Sequence, residues 1–456
     1  MAWGGTHLYR LTARQLRPLW LVAQMVLSAG IGWLFSRALA RQYGLCQELD
    51  GFLIAHNLPY LGWNLLGFAV ISGLLTLLFA EALSDGRADL ENTFATLMTL
   101  CIGIGVACVA IGWLWSEQLT ELFAPGLTGD VKLAVAGWIR ILSPLGGTVA
   151  VSALWSAILG GYRIPFASDL NGVLGRLLVL AVLLVRPNLI SLNAICWMLV
   201  VASVLSLVVQ WRFLRVTIGL KYRPMLDLRN DLVRRMLRHS AYFLLASIAI
   251  QTCDSQMRRL TTLAEPGTAT AVGLCFSLYI PLSVILGRMF AFAYGPTYME
   301  LRSRGKLREA RGLLMQGGLL ALVSCGGLAL VVIATREPLM GLLFGGGQID
   351  QVAVTRMSNL LAPLLFALPS VSLQAVLFAA GLGAGRANFL PIIWSLVSGL
   401  QFICMGYAFV WWGPLGIMWS YALASYLQLA AMALAIGYVS YLEKRESPRR
   451  PAATLD

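Results

Sequence analysis

Residues 188–214 read NLISLNAICWMLVVASVLSLVVQWRFL, and between Arg186 and Arg212 no side chain is charged. A run of that length crosses the ~30 Å hydrocarbon core of a bilayer as one helix, which takes roughly 20 apolar residues. It opens onto the longest polar stretch of the chain, 212–238, with Arg212, Arg215, Lys221, Arg223, Arg229, Arg234, Arg235 and Arg238. An apolar crossing closed by a basic loop is the pattern of the whole sequence. Of 456 residues, 58% are hydrophobic and 12% charged, against roughly 45–50% and 25% in soluble domains. Mean hydropathy is +0.76. A soluble globular protein is excluded, and so is a single anchor or removable signal peptide, because the apolar character runs the full length. The net charge of +13 would point to nucleic acid in a soluble chain. In a membrane chain it reports basic loops beside anionic lipid, so membrane lipids are the expected partner and nucleic acid is not.

Working outward from 188–214, apolar windows fall near 17–39, 52–84, 93–115, 131–159, 166–185, 235–263, 267–299, 313–335, 354–382, 387–411 and 413–441. The expected fold is therefore an all-α polytopic membrane protein of about twelve spans. An even number puts both termini on one side. Most of the 34 Lys and Arg then gather at the ends and loops on that side, which the positive-inside rule assigns to the cytoplasm of a bacterial inner membrane. The basic loop divides the chain into a six-helix lobe at 1–215, a cytoplasmic linker at 216–234, a second six-helix lobe at 235–442 and a cytoplasmic tail at 443–456.

The two lobes repeat one another. Residues 157–166, Ala-Ile-Leu-Gly-Gly-Tyr-Arg-Ile-Pro-Phe, lie on 380–389, Ala-Gly-Leu-Gly-Ala-Gly-Arg-Ala-Asn-Phe, at a shift of 223. Pro59 lies on Pro281, and Leu122-Phe123 before Ala-Pro-Gly on Leu343-Phe344 before Gly-Gly-Gly. A repeat of six spans keeps its orientation, so the lobes are expected to be related by a pseudo-two-fold axis along the membrane normal around a central cavity.

Charges inside spans cost roughly 2.5–3.5 kcal/mol each on insertion scales, so they mark partners, water or ligand. The basic candidates are Arg140 in span 4, Arg176 in span 5 and Arg288 in span 8, with Arg258 and its neighbour Arg259 in span 7. Asp254 stands four residues before Arg258, on the same helix face, where the two either pair or bind. Arg140 and Arg176 lie close enough to span ends to snorkel instead. Asp50, His56 and Asp169 complete the set of candidates for substrate contact, coupling or pairing.

Other chemistries lack their residues. No GxxxxGK[ST], HExxH or GxSxG occurs, which argues against ATP hydrolysis and against an enzyme. Of eight cysteines, only Cys46 falls in a loop, and no Cys/His cluster has ligand spacing, so neither metal nor cofactor is expected.

Tyr43-Gly44, Asp50-Gly51-Phe52, Asn57-Leu58-Pro59-Tyr60-Leu61, Phe79-Ala80-Glu81, Phe123-Ala124-Pro125-Gly126 and Ile139-Arg140-Ile141-Leu142-Ser143-Pro144 resemble the MurJ/MviN family. Pro281, Pro296 and Arg386-Ala387-Asn388 extend the likeness over nearly the whole chain. Those proteins belong to the multidrug/oligosaccharidyl-lipid/polysaccharide exporter superfamily and flip undecaprenyl-pyrophosphate-linked peptidoglycan precursor. The resemblance implies a flippase, driven by membrane potential or an ion gradient, whose partners include cell-wall or exopolysaccharide synthesis enzymes. It carries over Asp50 and Arg140. The family's arginine pair in span 2 falls on Trp63 and Asn64, its span 8 cavity arginine falls on Phe276, and Arg37 and Arg41 lie near its span 1 arginines. The family's two further helices have no counterpart in these twelve spans. A planar guanidinium suits pyrophosphate oxygens, so a rearranged set drawn from Arg140, Arg176, Arg258, Arg259 and Arg288 is expected to take that role. Two other readings stay open: a cation-coupled drug or solute exporter of the same superfamily, which would want an acidic cavity, and an inactive relative serving as a scaffold for polysaccharide synthesis.

Overall fold

A computed structural model describes residues 4–65, 87–161, 170–185, 190–217, 219, 222–383 and 389–446. The first lobe comprises α1 (Gly4–Tyr43), α2 (Gln47–Leu65), α3 (Arg87–Leu114), α4 (Ser116–Phe123), α5 (Gly129–Leu142), α6 (Pro144–Gly161), α7 (Leu170–Val185) and α8 (Leu192–Thr217). The second comprises α9 (Asp231–Thr262), α10 (Thr268–Ser303), α11 (Leu307–Ala334), α12 (Arg336–Phe344), α13 (Gln351–Gly383) and α14 (Phe389–Glu446). Among the described residues there is no strand, only an isolated bridge between Gly346 and Ile349.

Local chemistry explains where these helices break. Pro144 has no N–H to donate, and α5 gives way to α6 at Ser143 before it; together they form one crossing, 129–159. Gly413 takes φ 58°, ψ −144° immediately before Pro414 and divides α14 into two arms, matching the expected spans 387–411 and 413–441. Trp411 and Trp412 are exposed beside that bend, as befits an aromatic belt at an interface. Seven described segments are long and apolar enough to cross a bilayer, the one covering both arms of α14 included. Much of span 2 (66–84), Asp169 and Arg386-Ala387-Asn388 fall outside the described residues.

The repeat is visible in the packing. In the first lobe α5 and α6 lie at the centre and touch α2, α3 and α8; in the second α13 is central and touches α10, α11 and α14. Across the divide α1 packs on α10 and α2 on α9. Exchanging span 1 with 7 and 2 with 8 turns one of these contacts into the other, as a two-fold relation requires. The short helices agree: Leu122-Phe123 ends α4 and Leu343-Phe344 ends α12. Glu117 and Glu337, in their first turns, each accept from the following long helix, Glu117 from Arg140 and Glu337 from Thr355.

Lipid offers no hydrophobic drive between helices, so shape and interhelical hydrogen bonds hold them together, at about 0.6 kcal/mol for an average bond. Trp138 Nε1 donates to Asn193 Oδ1 at 2.7 Å between α5 and α8. Ser370 and Ser425 share a 2.7 Å bond between α13 and α14. The segment before α9 is strapped to α3: Met225 N donates to Thr99 Oγ1 at 3.3 Å and Asp227 N to Thr96 Oγ1 at 3.2 Å, while Tyr222 meets Thr99 at 3.2 Å.

Candidate functional site

Between the lobes lies a cavity of about 500 Å³. Spans 1, 2 and 5 wall it from the first lobe, and spans 7, 8 and 12 from the second. Its charged lining residues are Arg176, Asp254 and Arg258. Arg176 reaches in from α7 across the face of α1, where a Cβ on Gly32 would lie 2.8 Å from its Nη1. Arg258 arrives from α9 one turn after Asp254, which places both on the cavity side. Among the described residues neither arginine makes an ion pair within 4 Å; such pairs join Lys132 to Glu121, Arg140 to Glu117, Arg304 to Glu300, Lys306 to Glu309 and Arg356 to Glu265. Asp254 and Arg258 attract one another through space without touching. His56 also lines the cavity, stacked on Phe52 at 6.0 Å and 5.4 Å from the Tyr60 ring, within the field of both arginines.

Aromatic rings form much of the remaining wall. Trp33, Phe276 and Tyr421 line the space, and Arg37 lies 5.3 Å over the Trp33 ring, a cation–π contact one helical turn apart. Phe276 occupies the position that the family resemblance gives to a cavity arginine, and it does face the cavity. Sequence reasoning passed over Trp33 and Tyr421; the i, i+4 spacing of Trp33 and Arg37 was the available signal.

The other expected site residues lie elsewhere. Arg140 sits on the face of α5 opposite the buried Val135, Trp138, Ile139 and Leu142, with Nε 2.8 Å from Ser116 Oγ and Nη2 3.1 Å from Glu117 Oε1. At the same rim Lys132 donates to Glu121 at 2.8 Å and holds that carboxyl below its usual pKa. Arg288 is exposed, two turns beyond Pro281, and approaches Met25 Sδ of α1 at 3.2 Å. Asp50 is 2% exposed and accepts from Gly267 N at 2.7 Å, Thr270 N at 2.5 Å and Thr270 Oγ1 at 2.6 Å. Both of its oxygens are thereby spent on capping α10, a helix of the other lobe, where a negative charge also suits the helix dipole.

The Asp50 cap belongs to a seal at the end of the bundle that carries α4 and α12. There Gln348 N donates to Arg41 O at 3.0 Å and Gly126 N to Thr262 Oγ1 at 3.4 Å. A Cβ on Gly126 would lie 1.7 Å from the Thr262 carbonyl oxygen and one on Gly347 2.3 Å from that of Arg41, so only glycine lets these backbones meet. A further hollow of about 510 Å³ lies on α14, lined mostly by aromatic and aliphatic side chains, Tyr407, Trp411, Trp412 and Trp419 among them, with Gln401 and Ser420; its described lining carries no charge and shares no residue with the cavity between the lobes.

A family model described as lipid II flippase MurJ matches residues 39–443. No curated protein matches the sequence. Among solved structures, lipid II flippase MurJ in an inward closed conformation is similar at TM-score 0.74 and 14% identity, over 91% of this chain and 87% of that one. An inward-facing multidrug resistance MATE family transporter of the MOP superfamily follows at 0.73 and 13%, over 91% and 95%. A MOP superfamily transporter from Pyrococcus furiosus, described as having a binding pocket of reverse polarity, reaches 0.62 and 13%, over 92% and 96%.

Proposed function

The chain belongs to the MurJ lipid II flippase family, and on that premise we propose that it flips a saccharide linked to undecaprenyl pyrophosphate, either the peptidoglycan precursor or an exopolysaccharide repeat unit, across the bacterial inner membrane by alternating access. The observation that carries the reading is the placement of Arg176 and Arg258, from opposite lobes, in one cavity with no carboxylate partner within 4 Å among the described residues. At about 4 Å and an effective dielectric near 20, a unit charge gains ~4 kcal/mol from one such cation. A pyrophosphate placed between the two would engage both lobes at once. Two cations against one carboxylate among the described lining residues also disfavour a cationic drug as cargo.

With both termini cytoplasmic, the sealed end faces outward and the cavity is in its loading state, receiving lipid from synthesis enzymes at the inner face. The cargo itself would supply the coupling. An anionic headgroup moving outward gains about 2.3 kcal/mol per charge for each 100 mV of inside-negative potential.

Reconstitution into vesicles holding a fluorescent undecaprenyl-pyrophosphoryl disaccharide tests this. Wild type should move the lipid between leaflets, faster with an inside-negative potential, and R176Q/R258Q should lose at least 99% of that rate while inserting normally. Undiminished flipping by the double variant would remove the cavity from the mechanism, and a wild type that moves no lipid would leave the scaffold reading in its place.

A further inference from the structure

Two guanidinium groups that face one hollow from opposite lobes create a difficulty for an empty carrier. Arg176 is held by the first lobe and Arg258 by the second, so any movement that narrows the cavity drives like charges together in a region of low dielectric. A loaded carrier escapes this because the phosphates lie between the cations. An empty one has to close as well, since the cavity must return to its loading side after each delivery. Some other anion is needed for that step.

The cavity contains one. Asp254 projects into it one turn before Arg258, without an ion pair within 4 Å among the described residues yet within the field of Arg258. Asp50 and Glu117 are committed elsewhere: Asp50 caps α10 and Glu117 holds Arg140. We propose that Asp254 is a built-in counter-anion, which stands in for the substrate's phosphate between Arg258 and Arg176 when the carrier closes empty and gives way when the lipid headgroup binds. This rests on the flippase reading and adds to it a positioning residue that acts on the arginines and leaves the substrate to them. It accounts for an acid in a cavity built for an anion, where simple substrate affinity would favour its absence.

The full-length protein in vesicles separates this role from a structural one. Two rates are measured with the same fluorescent pyrophosphate lipid: net movement into a leaflet that contains none, which needs an empty return, and exchange between two preloaded leaflets, which does not. D254N should raise the ratio of exchange to net movement at least tenfold. D254E, which keeps the charge, should hold the ratio within threefold of wild type. D254N/R258Q, with one cation left and no repulsion to offset, should bring the ratio back towards wild type while demanding more substrate for half-maximal rate. If D254N does not fold, D254S takes its place with the same expected rise. A ratio unmoved in D254N, or one still raised in the double variant, overturns the proposal. Wild type silent in both modes would overturn the flippase reading itself, and this inference with it, before any variant is compared.

Discussion

The sealed end and the cavity use polar residues in opposite ways. At the seal, Asp50 spends both oxygens on three donors from the other lobe, and Arg356 is occupied by Thr268, the Pro266 carbonyl and Glu265. In the cavity, Arg176 on α7 and Arg258 on α9 have no such partners among the described residues. Buried charge is costly wherever it lies, and the difference is in what meets the cost. Where the protein supplies every partner, the charge holds a conformation. Where it does not, a ligand is to supply them.

That contrast can be broken at several points. The largest effect is expected in the cavity, where R176Q/R258Q should abolish flipping without lowering the melting temperature by more than a few degrees; an unfolded double variant would show these cations to be structural. Asp50→Ala comes next. Losing charge-assisted bonds of this kind costs about 2 kcal/mol, roughly thirtyfold in the balance between sealed and open ends. Cysteines introduced at the seal should become correspondingly more reactive to membrane-impermeant maleimide, and unchanged labelling would deny Asp50 its role as a latch. Gly32→Ala should weaken headgroup affinity several-fold by crowding the Arg176 guanidinium, read as a higher lipid concentration for half-maximal rate with the maximal rate kept. Adding R176K, whose slimmer ammonium passes the methyl, should recover part of it. Arg140→Ala should do least: its pair with Glu117 is exposed, worth ~0–1 kcal/mol, and flipping should stay within twofold of wild type.

Much of this contrast was legible in the sequence, and the remainder was not, for a physical reason. Apolar length and loop charge gave the spans, and the two arms of α14 meet at Gly413 within a residue of the expected boundary. Helical spacing put Asp254 and Arg258 on one face, and both reach the cavity. Periodicity does not, however, say what a charge meets across space. Asp50 finds its donors 217 and 220 residues away, and Arg140 is claimed by a glutamate 23 residues earlier in a short helix at the rim. Arg176 and Arg140 carried the same signal, a cation near a span end, and only packing separates the one that crosses Gly32 from the one that turns to solvent.

The strap on α3 sets a mechanical limit. Asp227 is moored to Thr96 and α9 begins at Asp231, so Leu228, Arg229 and Asn230 are all that joins the mooring to the second half. Three residues reach about 10 Å at full stretch. The part of α3 around Thr96 and the start of α9 can therefore part by little, and any travel between the halves would grow toward the edge farthest from that tether.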